Sequence, residues 1–345
     1  MAVSWSWAWG NEPLATLVNM EFDSPTGGGT QQQTSATTYT YAGSPTRYAW
    51  ESSPVRTIKF PTKAFINAGT VAIPIQAVGS WYAGSGNPLI MVYSGTSSKS
   101  INVYCSNAGA GTISMYVDNA LAGTTTLSAS NWHYLALQYD MSDPLASGVW
   151  TATLYVDGTS AITGSDTGLA VATSGYYQTG GFGNNALCGQ LIVYDTGTAI
   201  AVAKTPIYVT RLSPQNDISD TGSWTPAANT GTDAVCAEIS NNPLNTATNT
   251  TLSPAASTND MITQATGING LIGATGTTPL AVTAHTYSSG TSVQTKAAVD
   301  GGGGYTVGST ITPDTADTTY AFATYDAGSG AISSTANINF KYEIV

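Results

Sequence analysis

Glu21 and Asp23 are the residues whose spacing comes nearest to an acid–base pair. Positions two apart on a strand share a face, so both carboxyls would point one way, as the general acid and the nucleophile of glycoside cleavage do. Pro25 follows closely and interrupts that strand. The two histidines, His133 and His285, suit proton transfer near neutral pH. They fall in different predicted domains, and neither has a Ser, Cys or Asp at a spacing that marks a catalytic constellation. His133 follows Trp132 on a strand and reads as an outward, hydrogen-bonded ring. Gly301 to Gly304 is a turn, since no Lys-Ser/Thr pair follows and Tyr305 leads into a strand. Asn249-Thr250-Thr251 matches the glycosylation sequon by chance at this Asn and Thr content. Cys105, Cys188 and Cys236 lie far apart with no CxxC pair, so buried free thiols are expected in place of a zinc site or a disulfide framework. No catalytic residue, metal site or cofactor is predicted, and the chain reads as a non-enzyme.

Binding is better served. Tyr176 and Tyr177, with Phe182, Asn184 and Asn185 close behind, read as an exposed aromatic and amide loop. Ring faces pack on the C–H face of a sugar while amides bond its hydroxyls, so these five are the glycan-binding candidates, with packing of the loop within its own sandwich as the alternative. Trp5, Trp7 and Trp9 alternate with small or polar residues, the period-two mark of a strand with one aromatic face. They are candidates for docking to a partner, or for an edge strand on their own core.

Strands must carry all of these side chains. Only 8% of the 345 residues are charged and 37 are glycine, a mixture that disfavours long helices and favours short strands with tight turns. The length suits two cores, which predicts an all-β protein of two β-sandwich domains. A net charge of -11 repels phosphate and anionic membranes, so no nucleic-acid partner and no membrane insertion are expected. From Ile207 onward, Arg211, Lys296 and Lys341 face ten acidic residues. No basic residue precedes Arg47 and no long apolar run occurs, so neither a secretory signal nor a membrane span is predicted.

Residues 1–54 are predicted to form an N-terminal strand or arm and a polar loop, Thr26 to Thr40, that join the first sandwich. Residues 55–205 form that sandwich. Ile101, Val103 and Cys105 alternate, as do Ile113, Met115 and Val117, with Gly109 and Gly111 between them, a hairpin signal. Trp132 to Tyr139 and Trp150 to Val156 are dense enough in apolar residues for central strands, with Trp132 expected between the sheets. Asp157-Gly158 predicts a type I′ turn. A last strand covers Gln190 to Tyr194. Residues 206–345 form a second, smaller sandwich that is Gly- and Thr-rich, with its stronger strands at Thr318 to Tyr325 and from Ile338 to Ile344.

Three of these segments, in order, resemble a laminin-G-like or concanavalin-like jelly roll. They are Ser128 to Leu137 around Trp132-His133, Thr153-Leu154-Tyr155-Val156-Asp157-Gly158, and Gly189 to Tyr194. Leu191 and Ile192 stand where the family's closing strand has its acidic pair, which removes the expectation of calcium. Some β-glucan hydrolases of this fold carry an E-x-D-x-x-E set, but Thr26 occupies the last position here, which leaves glycoside hydrolysis as a distant alternative. Ile207 to Pro214, Gly222 to Pro226 and Gly231-Thr232-Asp233 resemble the opening of the second sandwich in tailed-phage structural proteins that carry such a domain. The resemblance implies a virion surface protein assembled in the host cytoplasm, a homo-oligomer with other virion proteins as partners. Capsid decoration with weak adhesion to a host-surface glycan is the role it implies first, and a tail fibre or baseplate adhesin the second.

Overall fold

The computed structural model describes residues 65–77, 88–142 and 148–180, and elsewhere the strands named below with residue 305. Side chains are described for 65–77, 88–142 and 148–179, and at 193, 217, 218, 300, 305, 307, 339 and 341. The protein is all-β, with no helix among the described residues. It divides into two compact units, Met1–Val209 and Thr210–Val345.

The first unit begins with short strands: β1 (Val3–Trp7), β2 (Ser24–Thr26), β3 (Thr38–Tyr39), β4 (Arg47–Tyr48), β5 (Trp50–Ser52) and β6 (Thr57–Lys59). Longer ones follow: β7 (Ala68–Ala77), β8 (Ile90–Ser94), β9 (Lys99–Asn107), β10 (Thr112–Val117), β11 (Ala120–Thr126) and β12 (Trp132–Asp140). The set ends with β13 (Trp150–Val156), β14 (Thr159–Asp166), β15 (Gly175–Gly180), β16 (Ala186–Cys188) and β17 (Leu191–Asp195). Two antiparallel sheets result. One has eight strands along the path β1-β17-β7-β12-β13-β14, with β16 and β5 paired beside β7; the other has seven in the order β11-β10-β9-β8-β15-β6-β2. Together they make the predicted β-sandwich.

Period-two patterning builds this layer structure directly. Ile101, Val103 and Cys105 of β9 are fully buried while Asn102 and Tyr104 between them are half-exposed. Tyr139 shows which face of the eight-stranded sheet looks inward, because its hydroxyl reaches Tyr177 of the other sheet. Leu135 and Leu137 share that parity and are buried with Ile73, Val71 and Leu154, their ladder partners. Trp132 has the opposite parity and is only half-buried. The expected core tryptophan is therefore Trp150, which is fully buried and donates its Nε1–H to the Ala170 carbonyl at 3.0 Å. Asp157 and Gly158 have φ of +51° and +84°, the two positive values that a type I′ turn requires.

One N-terminal reading changes, and the edge-strand alternative for the tryptophan segment is met. β2 includes Pro25, and as the last strand of its sheet it can accommodate a residue without an N–H. β1 forms an antiparallel ladder with β17, so Trp5 and Trp7 sit on an edge strand of their own unit; their side chains and all of Trp9 lie outside the described residues.

The second unit contains β18 (Asn216–Asp220), β19 (Thr225–Pro226), β20 (Leu252–Ser253), β21 (Asp260–Ala265) and β22 (Leu280–Thr286). It continues with β23 (Thr295–Asp300), β24 (Thr306–Val307), β25 (Thr319–Tyr325) and β26 (Ile338–Ile344). β18-β21-β26-β23-β24 form a five-stranded sheet, and the β22–β25 ladder packs beside β23. The alternating C-terminal segment is β26, at the centre of that sheet.

Candidate functional site

The pleat that sends Val92, Ile101, Val103, Ile113 and Met115 into the core turns their neighbours outward on the seven-stranded sheet. Cross-strand register aligns those outward residues in rows. Gln178, Met91, Asn102 and Tyr116 succeed one another across β15, β8, β9 and β10. Tyr176, Tyr93 and Ser100 form the next row, and Tyr104 lies opposite Ser114 on the other side. The rings associate in pairs. Tyr93 stacks on Tyr176 with centroids 4.6 Å apart, and Tyr104 stacks on Tyr116 at 5.3 Å with planes 8° from parallel.

Small polar groups occupy the same surface. Asn102 donates its amide to the Ser100 hydroxyl at 2.7 Å, while Ser114, of the same parity but itself buried, donates to Ser106 at 2.7 Å. Partial burial and the hydrogen bond and charge of Tyr116 push the Tyr104 phenol up to about 12. Partial burial, and then the neighbouring Tyr93, raise Tyr176. Both phenols therefore stay neutral near pH 7 and act as hydroxyl donors and acceptors. Lys59 of β6 stands opposite Gln178 at the end of that row, and Lys99 and Asp118 at the strand ends pair with each other across 2.6 Å. Two aromatic pairs and a row of amide, hydroxyl and thioether groups thus share one surface, with a lysine, Lys59, at the end of the row.

That arrangement can pack C–H faces and hydrogen-bond hydroxyls. No family model and no curated protein sequence matches the chain. Solved structures to which it is similar include the alginate lyase vAL-1 from Chlorella virus, at 10% identity and a TM-score of 0.36, over 56% of this chain and 100% of the other. A legume lectin-like domain from Entamoeba histolytica is similar at 9% identity and a TM-score of 0.35, over 57% and 99%. Domain 4 of the arabinanase AbnA from Geobacillus stearothermophilus, in complex with arabinotriose, is similar at 11% identity and a TM-score of 0.34, over 52% and 82%.

The structure separates the glycan-binding candidates read from the sequence. Tyr176 and Tyr177 are on strand β15, not on a loop, and so face opposite sides. Tyr176 belongs to the outward face, but Tyr177 is fully buried and exposes no ring to solvent. Its hydroxyl accepts from the Ile66 N–H at 2.9 Å and lies 2.7 Å from the Tyr139 hydroxyl, which donates to the Ile66 carbonyl at 2.8 Å. Tyr139 has one proton and spends it on Ile66, so Tyr177 donates to Tyr139 and the ring of bonds closes. Phe182, Asn184, Asn185, Glu21 and Asp23 lie outside the described residues. Tyr93, Tyr104 and Tyr116 were not singled out by sequence reasoning; the signal available was a tyrosine at the outward position of three strands whose inward positions are aliphatic.

His133 also differs from expectation. Its ring is hydrogen-bonded, as predicted, but on the inward parity at the start of β12, and with Ser and Asp partners that sequence spacing hid: Ser128 and Asp157. Cys105 is a buried free thiol raised by that burial. Among the described residues no group of His, Cys, Asp and Glu could hold a metal, and no helix is long and apolar enough to cross a membrane.

Proposed function

We propose that this chain is a glycan-adhesive structural protein of a virion surface, holding a neutral oligosaccharide against the tyrosine face of its seven-stranded sheet without cleaving it. The observation that carries the reading is the pairing of Tyr93 with Tyr176 and of Tyr104 with Tyr116, on either side of Met91 and Asn102. Stacked rings are already ordered, so a sugar that packs on them costs little side-chain entropy. Asn102, Gln178 and Ser100 supply donors and acceptors in the adjoining positions. Neither a carboxylate nor an imidazole is among the outward residues named, which is why binding is favoured over hydrolysis there.

Placement on a virion is supported by the order of the Trp132-His133, Asp157-Gly158 and Leu191–Tyr194 segments and by the resemblance after Ile207. Capsid decoration is the first role, and a tail fibre or baseplate adhesin uses the same face. Particles probed with an antibody to this chain would be labelled on the capsid shell; labelling confined to the tail would move the assignment to the adhesin.

Affinity against a panel of neutral and acidic polysaccharides tests the face itself. Loss of one stacking ring is worth about 0.5–1.5 kcal/mol, up to roughly tenfold in affinity. Tyr93→Ala and Tyr104→Ala are each expected to weaken binding to a neutral glycan by several-fold to tenfold. Undiminished binding by the double variant would contradict the proposal.

A further inference from the structure

Four side chains that the tyrosine face does not use converge at one end of the eight-stranded sheet. Ser128 and Asn131 lie between β11 and β12, His133 is the second residue of β12, and Asp157 opens the β13–β14 turn. Asp157 is doubly held: Oδ1 accepts the Tyr134 backbone N–H at 2.8 Å, and Oδ2 lies 2.8 Å from His133 Nδ1. A carboxylate can only accept, so Nδ1 carries a proton, and in the neutral imidazole Nε2 then presents its lone pair. Ser128 Oγ is 3.0 Å from that Nε2. Asn131 donates its amide to the same Oγ at 2.9 Å, which leaves the serine hydroxyl proton to point at the imidazole. The Ser128 carbonyl oxygen, 3.2 Å from Nε2, is placed to accept from the imidazolium once Nε2 has gained a proton. Ser128 and Asn131 are exposed, the imidazole is 13% exposed and the carboxyl 40%.

We propose that this cluster is a second functional site, a Ser-His-Asp hydrolase of carboxylic esters with the Asn131 amide as donor to the oxyanion. Ser128 Oγ attacks the ester carbonyl carbon while its proton passes to His133 Nε2. The carbonyl oxygen becomes an oxyanion and accepts from Asn131 Nδ2. The bond to the alcohol oxygen then breaks, and Nε2 returns its proton to that oxygen, which leaves an acyl-serine. Water attacks the acyl carbon, gives a proton to Nε2, and releases the carboxylic acid as Ser128 recovers its hydrogen. Ester and water become acid and alcohol with no other reactant. Ser128 and His133 are the catalytic residues; Asp157 is a positioning residue that holds the tautomer. The site departs from the expectation of a non-enzyme and is independent of the glycan reading.

The experiment incubates the full chain with a fluorophosphonate and locates adducts by mass spectrometry, alongside hydrolysis of p-nitrophenyl acetate. One phosphonylated residue, Ser128, is expected, with ester turnover falling about a thousandfold or more in Ser128→Ala. Ser128→Ala removes one exposed hydroxyl, so its circular dichroism should match the parent. Asp157→Asn, whose amide can donate to Nδ1 and hold the other tautomer, should lower kcat and alter the pH–rate profile with KM little changed. A chain that stays unlabelled, an adduct elsewhere, or wild-type turnover by Ser128→Ala overturns the assignment and leaves a structural tie between β12 and the Asp157 turn.

Discussion

Tyr177 closes a three-membered ring of hydrogen bonds: Ile66 N–H to Tyr177, Tyr177 to Tyr139, Tyr139 to the Ile66 carbonyl. Each group is satisfied only while the others remain. Tyr177→Phe leaves the half-buried Ile66 N–H without its acceptor and breaks the buried Tyr177–Tyr139 bond, and should destabilise the fold by about 1–3 kcal/mol in urea denaturation. Tyr176→Phe, its neighbour on the outward face, should fall within about 0.5 kcal/mol of the parent. Burial raises both core phenols, Tyr139 and Tyr177. In the unfolded chain they ionise near the ordinary tyrosine value, about 10, while in the folded chain they stay protonated above it. The unfolded state then binds fewer protons, so stability is intact below about pH 10 and falls as pH rises beyond it. Thermal denaturation between pH 9 and 11 should show this fall, and Tyr139→Phe should make it shallower. None of this was legible in the sequence, where Tyr176-Tyr177 looked like one exposed pair; their division follows from strand parity, which appears only once β15 is placed between β8 and β6.

Strands were the legible level. Alternation in Ile101-Val103-Cys105 and Ile113-Met115-Val117 marked β9 and β10, and the dense runs marked β12 and β13, because the burial of alternate side chains writes itself into residue order. The Asp157-Gly158 turn was legible for the same local reason. Gly158→Ala forces a Cβ into the left-handed region at φ +84° and should cost about 1–2 kcal/mol. What the sequence concealed was parity along an apolar strand. Trp132 and Trp150 both open dense runs, yet only Trp150 points between the sheets. Trp150→Ala should therefore cost about 3–5 kcal/mol. Gly175 shows a second kind of concealed constraint: a Cβ there would meet the Tyr93 backbone oxygen and the Phe65 ring. Gly175→Ala should disturb both the core and the Tyr93–Tyr176 stack.

At the scale of the molecule, all named residues of the tyrosine face and of the Ser128–His133–Asp157 cluster belong to Met1–Val209. That unit expressed alone should retain the glycan affinity of the full chain within about twofold, by calorimetry; tenfold loss would show that Thr210–Val345 contributes to the site. The sequence reading reached Tyr176 of the tyrosine face but not Tyr93, Tyr104 and Tyr116, because these come from three strands and meet only through their ladders. The most direct test is tyrosine-ring NMR of the chain with 13C-labelled tyrosine, titrated with a neutral oligosaccharide it binds. The rings of Tyr93, Tyr104, Tyr116 and Tyr176 should shift with the ligand while those of Tyr139 and Tyr177 hold still. Binding without movement of the first four would contradict the account.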